Sequence, residues 1–186
     1  YKDYLKQFKA TKSAGNLKEA ANQRRGAFKT CPPKASQNLF VDGRSIYQNL
    51  IRGEKDAAVI QGMVDTIMLI NKTRQENFAK SKAAVAENIA FDMLTYYGNS
   101  NPEKVVEAIN NNIAVSGNKV KADLLVAYMQ KASELYQAGK MSGESILKAY
   151  TDFSAIIDAQ VAANPTEANK TKRGAFENAF VTSGVA

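Results

Sequence analysis

Apolar residues recur at intervals of three and four along the whole chain, interrupted only by short breaks that carry Gly, Pro or Asn. A chain patterned in this way folds into amphipathic α-helices, and no stretch alternates apolar and polar residues in a way that fits a strand better. Tyr1, Tyr4, Leu5 and Phe8 form a first stripe. After a break at Gly15-Asn16, a second helix is predicted over residues 17–29, ending ahead of Cys31-Pro32-Pro33. Two consecutive prolines cannot continue a helix and disfavour helical geometry in the residues before them.

Ser36 stands at an N-cap position, with Leu39, Phe40, Gly43, Ile46, Tyr47, Leu50 and Ile51 on one face behind it and Gly53 as the stop. Such short polar side chains accept hydrogen bonds from the free amides of a first helical turn. Ile60, Met63, Val64, Ile67 and Met68 mark a helix within residues 55–78, and Val85, Ile89, Met93, Tyr96 and Tyr97 mark another, closed by Gly98-Asn99. Asn101-Pro102-Glu103 is a strong start signal, combining a cap, a residue suited to the first helical position and an acid at the positive end of the dipole. The same device is expected at Asn164-Pro165. Between these lie a stripe at Val105, Ile109 and Ile113, a Gly117-Asn118 turn, a stripe from Leu124 to Tyr136 stopped by Gly139, and a helix opened by Ser142. Phe176 and Phe180 mark a last segment that trails off in Thr182-Ser183-Gly184. Short loops make successive helices antiparallel neighbours. The expected fold is therefore all-α, eight or nine helices stacked as antiparallel hairpins in an α/α superhelix, over a single domain spanning residues 1–186.

The net charge of +7 is unevenly spread. Residues 1–34 hold nine Lys and Arg against Asp3 and Glu19, whereas the rest of the chain holds sixteen of each sign. Lys2, Lys6 and Lys9 share one helix face; Lys18, Arg25 and Lys29 share another, with Arg24 adjacent. Such a cluster can neutralise phosphates or attract acidic protein or lipid. No aromatic residues are interleaved with it as a stacking platform, which weakens the case for single-stranded nucleic acid. No apolar run approaches the roughly 20 residues needed to span a bilayer.

Chemistry has few carriers here. The chain has no histidine, which removes the commonest general base and metal ligand together with Ser-His and Cys-His nucleophile arrangements. Its single cysteine, Cys31, excludes an internal disulfide and a conventional zinc site. Glycine loops for phosphate or dinucleotide and calcium-loop spacings are missing. Glu103 and Glu107 share a helix face but read as a solvated helix start, Asp152 and Asp158 as solvated flanks of an apolar stripe, and Cys31 as a small boundary residue. Tyr96, Tyr97, Tyr128 and Tyr136 fit hairpin packing at their spacing, and Met63 and Met68 fit the core. No catalytic, metal or cofactor site is expected.

Tyr4, Gly15, Ala20, Ala27 and Pro32 stand where the tetratricopeptide repeat places an early aromatic, the small residues at close helix approaches and the terminal proline, and this first unit resembles that repeat. Phe8 and Arg24 depart from it, standing where a small residue and an aromatic are usual. Later units drift: Gly53 and Ala58 repeat the Gly15 to Ala20 interval at a spacing longer than the roughly 34 residues of the standard unit, and Gly139 with Ala149 is looser. Residues 31–36 and 152–164 are similar to exported bacterial proteins of this type with no assigned activity, and the first residue, Tyr1, suits a chain from which an export signal was removed. The resemblance implies a non-catalytic scaffold that binds a peptide or partner protein on a concave face. The alternative is capture of an anionic ligand, whether nucleic acid, acidic protein or lipid, by the basic N-terminal hairpin. A third expectation is structural: end helices of a repeat array need covering, by dimerisation or by further units beyond residue 186.

Overall fold

The computed structural model describes residues 1–31 and 34–185. Among them there are nine α-helices and no strand: α1 (Lys2–Thr11), α2 (Ala14–Thr30), α3 (Asn38–Arg52), α4 (Ala57–Asn77), α5 (Lys82–Tyr97), α6 (Pro102–Ser116), α7 (Ala122–Gln137), α8 (Gly143–Ala163) and α9 (Glu167–Val181). Of the described residues, 83% are helical. None of these helices is long and apolar enough to cross a membrane. Two compact units result, Tyr1–Val85 and Ala86–Ala186. Consecutive helices pack on one another from α1 to α4 and from α6 to α9, a pattern that fits a helical repeat.

In the N-terminal unit α2 packs between α1 and α3, and α3 also packs on α4. Leu5, Leu17, Ala20, Ala21 and Ile46 are buried together, with Tyr1, Tyr4, Phe8 and Leu50 packed around them. Ala20 and Ala21 have essentially no exposure, and their small side chains let α2 come close to its neighbours. Phe40 is buried with its ring edge-on to both Phe28 and Phe78, at centroid distances of 5.7 and 5.6 Å. Asp56 fixes the start of α4 by accepting hydrogen bonds from the amides of Ala58 at 2.8 Å and Val59 at 3.0 Å.

The C-terminal unit is organised on α7, which contacts α6, α8 and α9. Leu124, Leu125, Tyr128, Met129, Ala132 and Leu135 are all buried, so this helix presents apolar residues to more than one neighbour. Tyr128 meets Phe153 of α8 edge-on at 5.0 Å. Tyr150 of α8 stacks on Phe180 and Phe176 of α9, at 3.9 and 5.7 Å between ring centroids. The rim of this contact is polar: the Tyr150 hydroxyl donates to Glu177 at 2.8 Å, and Arg173 bridges Glu177 at 2.6 Å and Asp158 at 2.7 Å.

The Arg173 guanidinium, with the Tyr150 hydroxyl, holds the Glu177 carboxyl below the usual carboxylate range. A carboxyl depressed on folding stabilises the native state above its unfolded pKa, and that contribution is lost as pH falls through the folded value. Wild type should therefore exceed Glu177→Gln in stability at neutral pH, by no more than about 1 kcal/mol because solvent screens this half-exposed pair. The gap should close as pH falls from the usual carboxylate range to below it. Urea midpoints of both proteins across that range measure it, and a gap that persists at the acid end would assign the difference to packing.

Three sequence expectations shift: the N-cap of α3 is Gln37 rather than Ser36, and no side-chain hydrogen bond caps that helix. The break between the first helices lies at Lys12-Ser13, with Lys12 left-handed at φ 57° and Ser13 extended, so Gly15 falls inside the first turn of α2. The cap of α9 is Thr166, whose hydroxyl accepts from the Asn169 amide at 3.3 Å; Pro165 precedes it and does not occupy the first helical position. The cap at Asn101 is as expected, its side chain accepting from the Lys104 amide at 3.1 Å, and Ser142 likewise accepts from the Ser145 amide at 3.2 Å.

Candidate functional site

Where the α1–α2 turn meets the α3–α4 turn, the N-terminal unit holds an open groove of about 470 Å³. Its apolar wall is Phe8 from α1, Leu17 from α2, Leu50 from α3 and Met63 from α4. Leu17 belongs to the buried core, while Phe8, Leu50 and Met63 are half-buried and recessed. The stripes that build the hydrophobic core therefore continue into the groove.

Its rim is basic. Lys12, Lys18 and Arg52 are exposed around the apolar wall, and Glu54 is the acidic residue lining it. The Glu54 carboxylate accepts hydrogen bonds from the amides of Lys55 at 2.8 Å and Asp56 at 3.1 Å, which shape the α3–α4 loop. Those two amides hold its pKa below the usual carboxylate value, with a smaller contribution from the Lys18 charge. Lys12 extends its ammonium over the Phe8 ring, 5.8 Å from the centroid, so its position is coupled to the apolar wall. Arg52 donates to the Asn49 side chain at 3.3 Å. The α2 helix begins here with no side-chain cap and no acid in its first turn, leaving the positive end of its dipole unopposed.

Two further concavities are smaller and flatter. On the outer side of α1 a shallow depression of about 380 Å³ is lined by Asp3, Lys6, Gln7 and Ala10. Between α5 and α6, Ile89, Met93, Lys104, Glu107, Ala108 and Asn111 line about 260 Å³.

The repeat-signature residues separate on folding. Ala20 is buried at the α2 interface, Tyr4 and Ala27 are half-buried, and Gly15 is exposed. Pro32 lies outside the described residues. Of the basic residues grouped from the sequence, Lys2, Lys6, Lys9, Lys18, Arg25 and Lys29 are exposed. Arg24 is not part of that surface: it is 2% exposed, with its Nε donating to the Leu39 carbonyl at 3.1 Å and its guanidinium 4.7 Å from the Phe28 ring centroid. The apolar residues beside it turn it into the interface between α2 and α3, and burial lowers its pKa. Gly43 of α3 makes room for it, since a Cβ there would stand 2.4 Å from the guanidinium carbon. Nearby, burial pushes the Tyr1 phenol up to about 12, helped by Asp42, to which its hydroxyl donates at 3.1 Å.

Three of the residues weighed for chemistry are engaged in ion pairs. Glu103 pairs with Lys140 at 2.6 Å, Asp152 with Lys148 at 2.6 Å, and Asp158 with Arg173. Cys31 is exposed at the end of α2. Tyr128 is buried, whereas Tyr96, Tyr97, Tyr136, Met63 and Met68 are only half-buried. Among the described residues no group of three or more Cys, Asp or Glu side chains is placed to hold a metal ion.

Lys12, Arg52 and Glu54 were not singled out by sequence reasoning, although all three line the groove. The signal was present in the Gly53 stop, which places Arg52 on a last helical turn, and in Lys12 at the end of the first stripe. Comparison with protein-family models, with curated proteins and with solved structures finds no match to this chain.

Proposed function

We propose that this chain is a tetratricopeptide-like helical repeat protein acting as a non-catalytic interaction scaffold, and that it binds a peptide or a segment of a partner protein. The observation that carries this reading is the N-terminal groove, in which three half-buried apolar side chains are left open beneath three exposed cations. Recessed apolar surface with a few polar groups around it is the usual composition of a specific binding cleft. Helical hairpins also hold such residues on rigid elements, so a ligand pays little for ordering its receptor.

Panning the immobilised full-length protein against a random peptide display library tests the proposal. A recurring sequence pattern whose free peptide competes for binding supports it. Enrichment of nothing beyond background overturns it.

The alternative, capture of nucleic acid, acidic protein or lipid by the basic N-terminal hairpin, is favoured by the six cations of α1 and α2 that remain exposed. Binding to duplex DNA of random sequence should then fall with a log–log salt slope of about −0.9 for each phosphate neutralised. A salt-insensitive signal would remove this alternative for nucleic acid.

A further inference from the structure

We infer that the partner of the N-terminal groove is a short acidic segment carrying one large apolar side chain, which seats between Phe8, Leu50 and Met63 while flanking carboxylates meet Lys12, Lys18 and Arg52. The inference rests on the scaffold reading above and narrows it to one surface and one ligand chemistry.

Charge complementarity gives the sign. Sixteen of the 25 Lys and Arg lie in residues 1–85, against seven Asp and Glu, and three of these cations surround one apolar wall. The acid on that wall, Glu54, is held by the loop amides of Lys55 and Asp56. A ligand that brings its own carboxylates meets an excess of positive charge; a basic ligand meets three cations against one acid.

Recession of the apolar groups gives the shape. The large apolar side chains most exposed in the chain are Val41, Val59, Leu69, Val115, Leu147 and Val181, and none of them lines the groove. Phe8, Leu50 and Met63 line the groove and are half-buried. A flat bilayer surface meets the lysines first and cannot reach them, whereas a side chain projecting from a peptide can. At about 470 Å³, the space lies at the lower end of the roughly 300–1,000 Å³ typical of ligand clefts, suited to a single anchor and its flanks.

The backbone at Lys12 adds an independent observation. Among the described residues it is the one non-glycine residue with positive φ, 57°, and it ends α1 at a position where glycine is the usual occupant. A left-handed conformation is unfavourable for an L residue with a side chain. The chain accepts that strain and gains an ammonium at the groove mouth, above the Phe8 ring. Strained residues of this kind concentrate where a ligand is held. Lys12 is thereby assigned as a ligand-positioning residue whose substitution by glycine should improve the fold and impair the function.

The probe is a short fluorescein-labelled peptide in which one leucine is flanked on both sides by glutamates, with two controls: leucine replaced by serine, and glutamates replaced by lysines. Fluorescence anisotropy with the full chain should show binding of the first peptide only, weakening as salt rises from about 0.05 to 0.5 M. Lys12→Gly should lower the affinity about fivefold, the scale of one exposed ion pair, while raising the thermal midpoint by about 2–4 °C. Lys18→Glu should weaken binding further and leave the fold intact.

Equal affinity for the glutamate and lysine peptides overturns the inference, as does unchanged affinity in both variants. Binding of anionic phospholipid vesicles in place of the peptide also overturns it, in favour of a membrane surface. A library peptide that binds equally well to Lys12→Gly and Lys18→Glu would leave the scaffold reading standing and remove this groove from it. An empty library screen would remove the scaffold reading itself.

Discussion

Phe176→Ala is expected to remove about 3–5 kcal/mol of stability, the range for emptying an aromatic site in a packed core. Phe176 has no exposed surface, lies among the buried residues of α7, α8 and α9, and stacks against Tyr150. Its loss leaves a cavity that neighbours on several helices cannot fill by a rotamer change, because each is fixed by its own packing. The Tyr150 ring would keep Phe180 as a stacking partner but lose one flank. Urea unfolding followed by far-ultraviolet circular dichroism measures the effect. Phe176→Leu should cost less than half as much, since it preserves most of the volume. A loss below about 1 kcal/mol for alanine would mean that α9 is not docked by this ring.

Arg24→Glu should destabilise the protein by about 3–5 kcal/mol, the scale of a buried charge without a partner. The new carboxylate would sit beside the Phe28 ring and the Leu39 carbonyl oxygen, with the negative Asp42 nearby, where the guanidinium is a donor and a counter-charge. Lys6→Glu and Arg25→Glu reverse charge by the same amount at exposed positions and should change stability by less than about 0.5 kcal/mol. Arg24→Met keeps much of the volume and removes a desolvated charge, so it should be close to neutral or stabilising. Thermal or urea midpoints of the four variants make the comparison. An Arg24→Glu protein as stable as Arg25→Glu would return Arg24 to the surface.

The contrast between Arg24 and Arg25 shows why the basic surface was only partly legible in the sequence. Composition and position report that cations cluster, but the face of a helix that turns inward is set by its neighbours, and α2 has helices on two sides. Gly43, with no Cβ in the path of the guanidinium, and the Phe28 ring leave room there for a long side chain. Helical periodicity, in contrast, was legible almost throughout, because the stripes at Leu39 to Leu50, Leu124 to Leu135 and Ile146 to Ile157 contain the residues that are buried.

Punctuation was less clear. Gly15-Asn16 looks like a break by composition, yet the chain turns earlier, at a left-handed Lys12. Placing the turn three residues late hides Lys12 and moves the groove mouth out of view. The groove is lined by residues of four helices and the turns between them, and no periodic signal records which helix ends come together.

The contact between α7 and α9 carries a cost in time. Helix α7 ends at Gln137 and α9 at Val181, so at about 5–20 residues per second a ribosome takes roughly 2–9 s to emit the segment between them. During that interval the face of α7 that Phe176 and Phe180 will cover is open to water, and the nascent chain offers it to any chaperone within reach.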